Sequence, residues 1–249
     1  PLADVEADEV VVRYTNADTT VEQDNVIEIA GLTYTFEEAI AADTIAFEVI
    51  GFKAEVLNFV TLEGDLGFSK VGTSIVAVGA NIGASLEVSS SIYVRLSGAS
   101  FGLIAGEGLF GFETTGGSVA LGLGPLANIQ VGSVTVQYTN LTTEITADQE
   151  ALVVGGVSYN FSGPIAENTV AFSLGDFHAE ILNFVTLRGN IGFSKVGDVI
   201  TAVGSELSAA LVVSNAVYVR IEDAAFGMVM SEADGFGFEI SEGSLAVQL

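Results

Sequence analysis

Few residues in this chain have types and spacing that could do chemistry. Gly106–Glu107–Gly108–Leu109–Phe110–Gly111 spells GxGxxG. That motif cradles a pyrophosphate where a strand leads into a helix. Here a β-patterned segment follows, and the equivalent later stretch reads SEADGFG (231–237), so a turn between strands is expected. His178 is the only histidine, and the matching position earlier in the chain is Lys53. A catalytic or ligating imidazole needs partners that such a position does not supply. Cysteine is absent, which excludes thiolate catalysis and Cys-ligated zinc. No catalytic and no cofactor-binding residue is expected.

Charged residues are the remaining candidates. Lys70 and Lys195 occupy one recurring position, and Arg95 and Arg220 another. In a chain with 32 acids and 7 Lys and Arg, such cations are expected to have assigned partners. Glu55 and Glu180, and Glu113 and Glu239, recur as well, so ion pairs that fix strand or module register are expected. A ligand-binding arginine is the other reading. Calcium is the possible cofactor for so acidic a surface. Neither the EF-hand nor the GGxGxD spacing is present. The loose candidates are Asp18, Asp24, Asp148 and Glu150 before a hairpin, and Asp65, whose counterpart is Asn190.

These recurrences reflect a repeat that runs through the whole chain. PLADVEADEVVVRYTN (1–16) returns as PLANIQVGSVTVQYTN (125–140), and NFVTLEGDLGFSKVG (58–72) as NFVTLRGNIGFSKVG (183–197). Residues 1–124 and 125–249 are therefore read as two copies of one module, each long enough for its own core. The copies join at Gly124–Pro125 without a Ser/Gly-rich linker, so they are expected to stack with a near-continuous junction. A chain in phase with its own repeat is expected to be an excerpt of a longer array. Its partners would be neighbouring copies, covalent or head to tail.

The residues between the motifs follow a β pattern. Val10, Val12 and Tyr14 alternate with Val11, Arg13 and Thr15, and Ile82, Ala84, Leu86 and Val88 match Leu207, Ala209, Leu211 and Val213. Period-two alternation describes strands with one buried face. IEIAGLTYTF (27–36) and LVVGGVSYNF (152–161) predict tight hairpins turning at Ala30–Gly31 and Gly155–Gly156. FEEAIAAD (36–43) faces FSGPIAEN (161–168), whose Pro164 opposes a helix. A connection is expected, with at most one helical turn in the first copy. Gly64, Gly67 and Gly72 recur as Gly189, Gly192 and Gly197, and are expected at positive φ or at bulges. The fold class is all-β, as a sandwich, meander or β-solenoid.

The net charge is -25, divided as -14 and -11 between the copies. A field of that sign disfavours nucleic acid and anionic membranes. With no run of eighteen apolar residues, no membrane helix and no membrane insertion is expected.

The stretch GFSKVGDVITAVGSELSAALVVSNAVYVRIEDAAFGMVM (192–230), with its first-copy equivalent, resembles tandem-repeat modules of giant bacterial extracellular surface proteins of adhesin type. The resemblance spans residues 43–123 and 168–249. It implies a non-catalytic stalk or fibre segment at the cell surface, and it carries over no functional residue. The alternatives are a self-assembling extracellular filament subunit joined head to tail and, less favoured, an outer-membrane β-barrel, for which aromatic girdles are lacking.

Overall fold

The structure, a computed structural model, describes residues 3–57, 59–146, 151–214, 217–231, 233 and 235–248. It is all-β, and no helix occurs among the described residues. The strands are β1 (Ala3–Glu6), β2 (Glu9–Tyr14), β3 (Val26–Ile29), β4 (Leu32–Thr35), β5 (Thr44–Val56), β6 (Val60–Val71), β7 (Ser74–Ser89), β8 (Ile92–Gly106) and β9 (Leu109–Leu123). The order continues with β10 (Ala127–Val131), β11 (Ser133–Thr139), β12 (Leu152–Val154), β13 (Val157–Tyr159), β14 (Thr169–Ile181), β15 (Val185–Val196), β16 (Val199–Ser214), β17 (Val217–Ser231) and β18 (Gly235–Gln248).

Fourteen strands form one antiparallel sheet, a meander in the order β1-β5-β6-β7-β8-β9-β10-β14-β15-β16-β17-β18. β2 lies in line with β1, both pairing β5, and β11 lies in line with β10, both pairing β9 and β14. The sheet thus runs through the Gly124–Pro125 joint without a break. The interrupted strand β10–β11 hydrogen-bonds to the first repeat on one side and to the second on the other. Registers recur between the sequence repeats: Phe47 pairs Phe68 and Phe172 pairs Phe193, with bulges after Val49 and after Leu174.

Tight turns explain the meander. Glu107 (φ 46) and Gly108 (φ 84) join β8 to β9, supplying the positive-φ pair that a two-residue hairpin needs to match strand twist. The GxGxxG spacing is that turn. Ala30 (φ 53) and Gly31 (φ 84) do the same for β3–β4. Residues 36–43 contain no helical turn. Their backbone forms an isolated bridge, Val21 to Ile40, matched by Ile145 to Ile165, because each strap is held by a strand-like contact across its own loop.

The sheet faces differ. One carries the aromatic pairs Phe47–Phe68 and Phe172–Phe193, stacked at 5.3 and 5.5 Å. On the other lies the main core cluster, where Leu152, Val154, Val157 and Tyr159 of the β12–β13 hairpin close over Val78 of β7. A second cluster, Leu141, Ile145 and Ile165, joins it through Ile104 and Phe161. The core therefore sits where a segment of the second repeat reaches back over the sheet of the first.

A hairpin seat as the candidate functional site

The seat is a straight row of side chains across five strands. Glu48, Gly67, Val78, Gly102 and Glu113 are successive cross-strand partners on β5 to β9. Gln137 of β11 continues the row beyond Glu113. The two glycines make depressions on either side of Val78. A Cβ on Gly67 would lie 2.8 Å from Val154 Cβ, and one on Gly102 would overlap the Tyr159 ring. Neither Gly67 nor its counterpart Gly192 has a positive φ, so the expected backbone role is corrected. At Gly67 close approach of the hairpin requires the glycine. Gly64 (φ 140) and Gly189 (φ 138) sit at bulges, and Gly72 and Gly197 (both φ 58) at turns.

Acidic side chains close both ends of the row. Glu48 Oε1 accepts the Gly156 backbone N–H at 2.6 Å, fixing the hairpin turn. Glu113 is fully buried. Its Oε1 accepts the Tyr159 hydroxyl at 2.7 Å and the Ser162 N–H at 2.6 Å. Its Oε2 accepts Gln137 Nε2 at 2.6 Å and the Ser162 hydroxyl at 2.7 Å. Four donors replace the water that a buried carboxylate loses, as burial of a charge demands. Burial pushes the Tyr159 hydroxyl well above the usual tyrosine range, so it stays protonated and donates.

The second repeat carries a similar row, with Ser173 in place of Glu48, and no described hairpin lies on it. Ser173, Gly192, Val203, Gly227 and Glu239 are successive cross-strand partners on β14 to β18. Val78 is 0% exposed and Val203 57%. A Cβ on Gly227 would meet nothing within 4 Å, and one on Gly192 only Val203, at 3.2 Å. A shallow groove of about 240 Å³ lies over the β14–β16 part of this row, lined by Thr135, Gln137, Ser173, Gly192 and Val203 among others. Conversely, the first repeat has a hairpin without a seat. Leu152, Val154, Val157 and Tyr159 are at most 8% exposed, whereas their counterparts Ile27, Ile29, Leu32 and Tyr34 range from 44% to 79%.

The expected ion pairs form differently. Among the described residues, Arg95 bonds Glu87 at 2.6 Å, and Arg13 meets Glu38 at 3.0 Å and Glu48 at 3.9 Å. The bond to Arg95 holds the Glu87 carboxyl below its ordinary range and raises the guanidinium. Glu113, expected to pair with a cation, is bonded by neutral donors instead. Glu239 is exposed on β18. Glu55 stands opposite Asp4 and Thr61, and Glu180 opposite Asn128 and Thr186. Lys70 and Lys195 are exposed among apolar strand neighbours, Ile45 and Ile75 for one, Val170 and Ile200 for the other. Arg95 and Arg220 recur because each lies over a tyrosine ring two residues earlier, Tyr93 at 4.2 Å and Tyr218 at 4.8 Å. Glu87 becomes Val212 in the second repeat, which removes a common carboxylate partner. The Tyr-x-Arg spacing was the available signal.

The calcium candidates are not gathered. Asp18 and Asp24 are exposed in the loop between β2 and β3, while Asp148 and Glu150 lie outside the described residues. Asp65 accepts the Gly51 N–H at 2.9 Å and Asn81 Nδ2 at 3.2 Å, bracing the β5 bulge. Asn190 serves the second repeat's bulge, accepting the Asp176 N–H at 2.9 Å and donating to Glu206 at 3.2 Å. Among the described residues no group of three or more His, Cys, Asp or Glu is placed to hold a metal ion. Compared with protein-family models, curated proteins and solved structures, the chain matches none of them.

Proposed function

We propose that this chain is a structural segment of an extracellular surface protein, in which β modules are added one after another to build a stiff, non-catalytic rod. The observation that carries this reading is the joint. One sheet passes from β9 through β10–β11 to β14, and the hairpin of the later repeat is clamped onto the earlier one. Such a joint resists hinging, because bending would break both a strand ladder and a packed core. Stability in such arrays comes from nearest-neighbour interfaces. The net charge of -25 keeps such a rod soluble and its parallel neighbours apart. Supporting the surface location is the sequence resemblance to tandem modules of adhesin-like giant proteins. A subunit of a self-assembling filament is the second reading, favoured by the open hairpin seat.

Immunogold electron microscopy with antibody raised against this chain tests the reading. Label on projections from intact cells is expected. Label that appears only after lysis contradicts it.

A further inference from the structure

We infer that the open row on β14–β18 is a docking site for the β3–β4 hairpin of a second copy of this chain, with β18 pairing edge to edge with that copy's β1–β2. The inference rests on the structural reading above and names its contact surface. The occupant follows from continuity with the joint inside the chain. The strands and the hairpin of that joint have unused counterparts. β9 pairs β10–β11 on its outer side, whereas β18 pairs only β17, and β1 and β2 pair only β5, among the described residues. The receiving row keeps both glycines and the central valine, has Ser173 where Glu48 binds the hairpin turn, and among the described residues leaves open the space over Gly227. The unseated hairpin keeps the apolar set Ile27, Ile29, Leu32 and Tyr34 where the seated one has Leu152, Val154, Val157 and Tyr159.

Around the buried carboxylate, substitutions between the repeats offset one another in charge, whereas along β1 and β2 carboxylates are added alone: Asp4, Glu6 and Glu9 stand where β10 and β11 have Asn128, Gln130 and Ser133. Inside the chain, Glu113 is held by Gln137, Tyr159 and Ser162. At the new contact the matching residues are Glu239, Arg13, Tyr34 and Glu37. Ser162 to Glu37 adds a carboxylate, and Gln137 to Arg13 adds a guanidinium. The group therefore carries one net negative charge in both places. Glu38, where the second repeat has Gly163, adds one more carboxylate, and in the single chain Arg13 meets it at 3.0 Å. A similar paired exchange stands at the bulges, where Asp65 with Asn81 becomes Asn190 with Glu206. The internal register transfers directly. Gln137 opposite Glu113 and Tyr138 opposite Phe112 place Arg13 opposite Glu239 and Tyr14 opposite Phe238. Asn128 opposite Gly122 and Ile129 opposite Leu121 place Asp4 opposite Gln248 and Val5 opposite Val247. The outer ends are also apolar, and Tyr14 would meet Phe236 as Tyr138 meets Phe110 at 5.6 Å.

The chain has no cysteine, so disulfide trapping reads this contact cleanly. Cross-strand Cα atoms about 4.5–5.5 Å apart fall within disulfide reach. Full-length Tyr14→Cys is mixed with full-length Phe238→Cys and oxidised. A mixed dimer is expected, at least tenfold above a mixture of Val10→Cys with Phe238→Cys, which is four residues out of register. Val5→Cys with Val247→Cys provides a second in-register pair should either first variant fold poorly. Adding Arg13→Gln to the Tyr14→Cys chain should lower the yield at least tenfold, and Arg13→Gln with Glu37→Ser should restore it. Equal yields in and out of register overturn the inference. So does Phe238→Cys coupling to itself as readily, which would mean two β18 edges pair. Trapping that fails in a protein labelled at the cell surface removes this contact alone. Trapping that succeeds in a protein found only inside cells removes the surface reading alone.

Discussion

The two hairpins of this molecule have similar sequences and opposite surroundings. β12–β13 lies on the sheet of the preceding repeat, with Tyr159 and Val157 sealed from water. β3–β4, turning at Ala30–Gly31 as β12–β13 turns at Gly155–Gly156, presents Leu32 and Tyr34 to solvent. Neither hairpin has enough strands to be stable alone, since an isolated two-stranded hairpin is marginal in water. The difference teaches that the seated hairpin is buried by a surface outside its own repeat. Four buried apolar side chains at roughly 1.5–3 kcal/mol each are a large part of what the seated hairpin gains.

The comparison breaks most visibly at the buried carboxylate. Glu113→Ala removes the charged acceptor of four hydrogen bonds, leaving the buried Tyr159 hydroxyl only Thr115 at 3.2 Å, and hydrogen bonds to a charged group contribute about 1.5–3 kcal/mol each. A loss of about 3 kcal/mol or more is expected in urea denaturation. Glu239→Ala, exposed in the single chain, should change stability by less than about 0.5 kcal/mol.

A smaller effect is expected at the glycines. Gly102→Ala pushes a methyl group into the Tyr159 ring and should cost about 1–3 kcal/mol, as overpacking does. Gly227→Ala meets open space and should be neutral in the separate chain. The same substitution should oppose trapping of a second copy, which sharpens the contrast between an occupied and an open seat.

Alkaline pH distinguishes the hairpins further. Tyr159 has its folded pKa raised by burial, so its contribution to stability is complete below the unfolded value of about 10. That contribution is lost as pH rises above it, toward the higher folded pKa. Melting curves between pH 8 and 11 should therefore show a decline that Tyr159→Phe reduces. Tyr34, at the matching place on β3–β4, is exposed.

The smallest effect is expected at the surface ion pair. Glu87→Val, which makes the first repeat resemble the second at Val212, should leave the denaturation midpoint where it is. Exposed pairs contribute little. Arg95 retains its place over Tyr93.

Much of this was legible in the sequence. Alternation located the long strands, and Ala30–Gly31 and Gly155–Gly156 marked the hairpin turns. The unlinked Gly124–Pro125 joint implied a continuous junction. The seat was not legible, because periodicity reports which face of a strand is apolar but not what lies on it. Glu48 and Gly156 are 108 residues apart. The recurrence of Gly67 with Gly192 and of Glu113 with Glu239 was visible, but its meaning depends on register: only cross-strand pairing sets Glu, Gly, Val, Gly and Glu in one line. Glu113 was read as half of an ion pair because the hydroxyl and amide donors that hold it come from two distant segments, β11 and residues 159–162.

Hydrogen exchange followed residue by residue tests the central claim most directly. If β12–β13 is clamped on the first repeat's sheet, amides of residues 152–159 should exchange slowly and together with those of β7 and β8, while residues 26–35 in the dilute chain exchange orders of magnitude faster. Residues 152–159 exchanging as fast as 26–35, with β7 and β8 still protected, would show that the hairpin is not seated and would contradict the account.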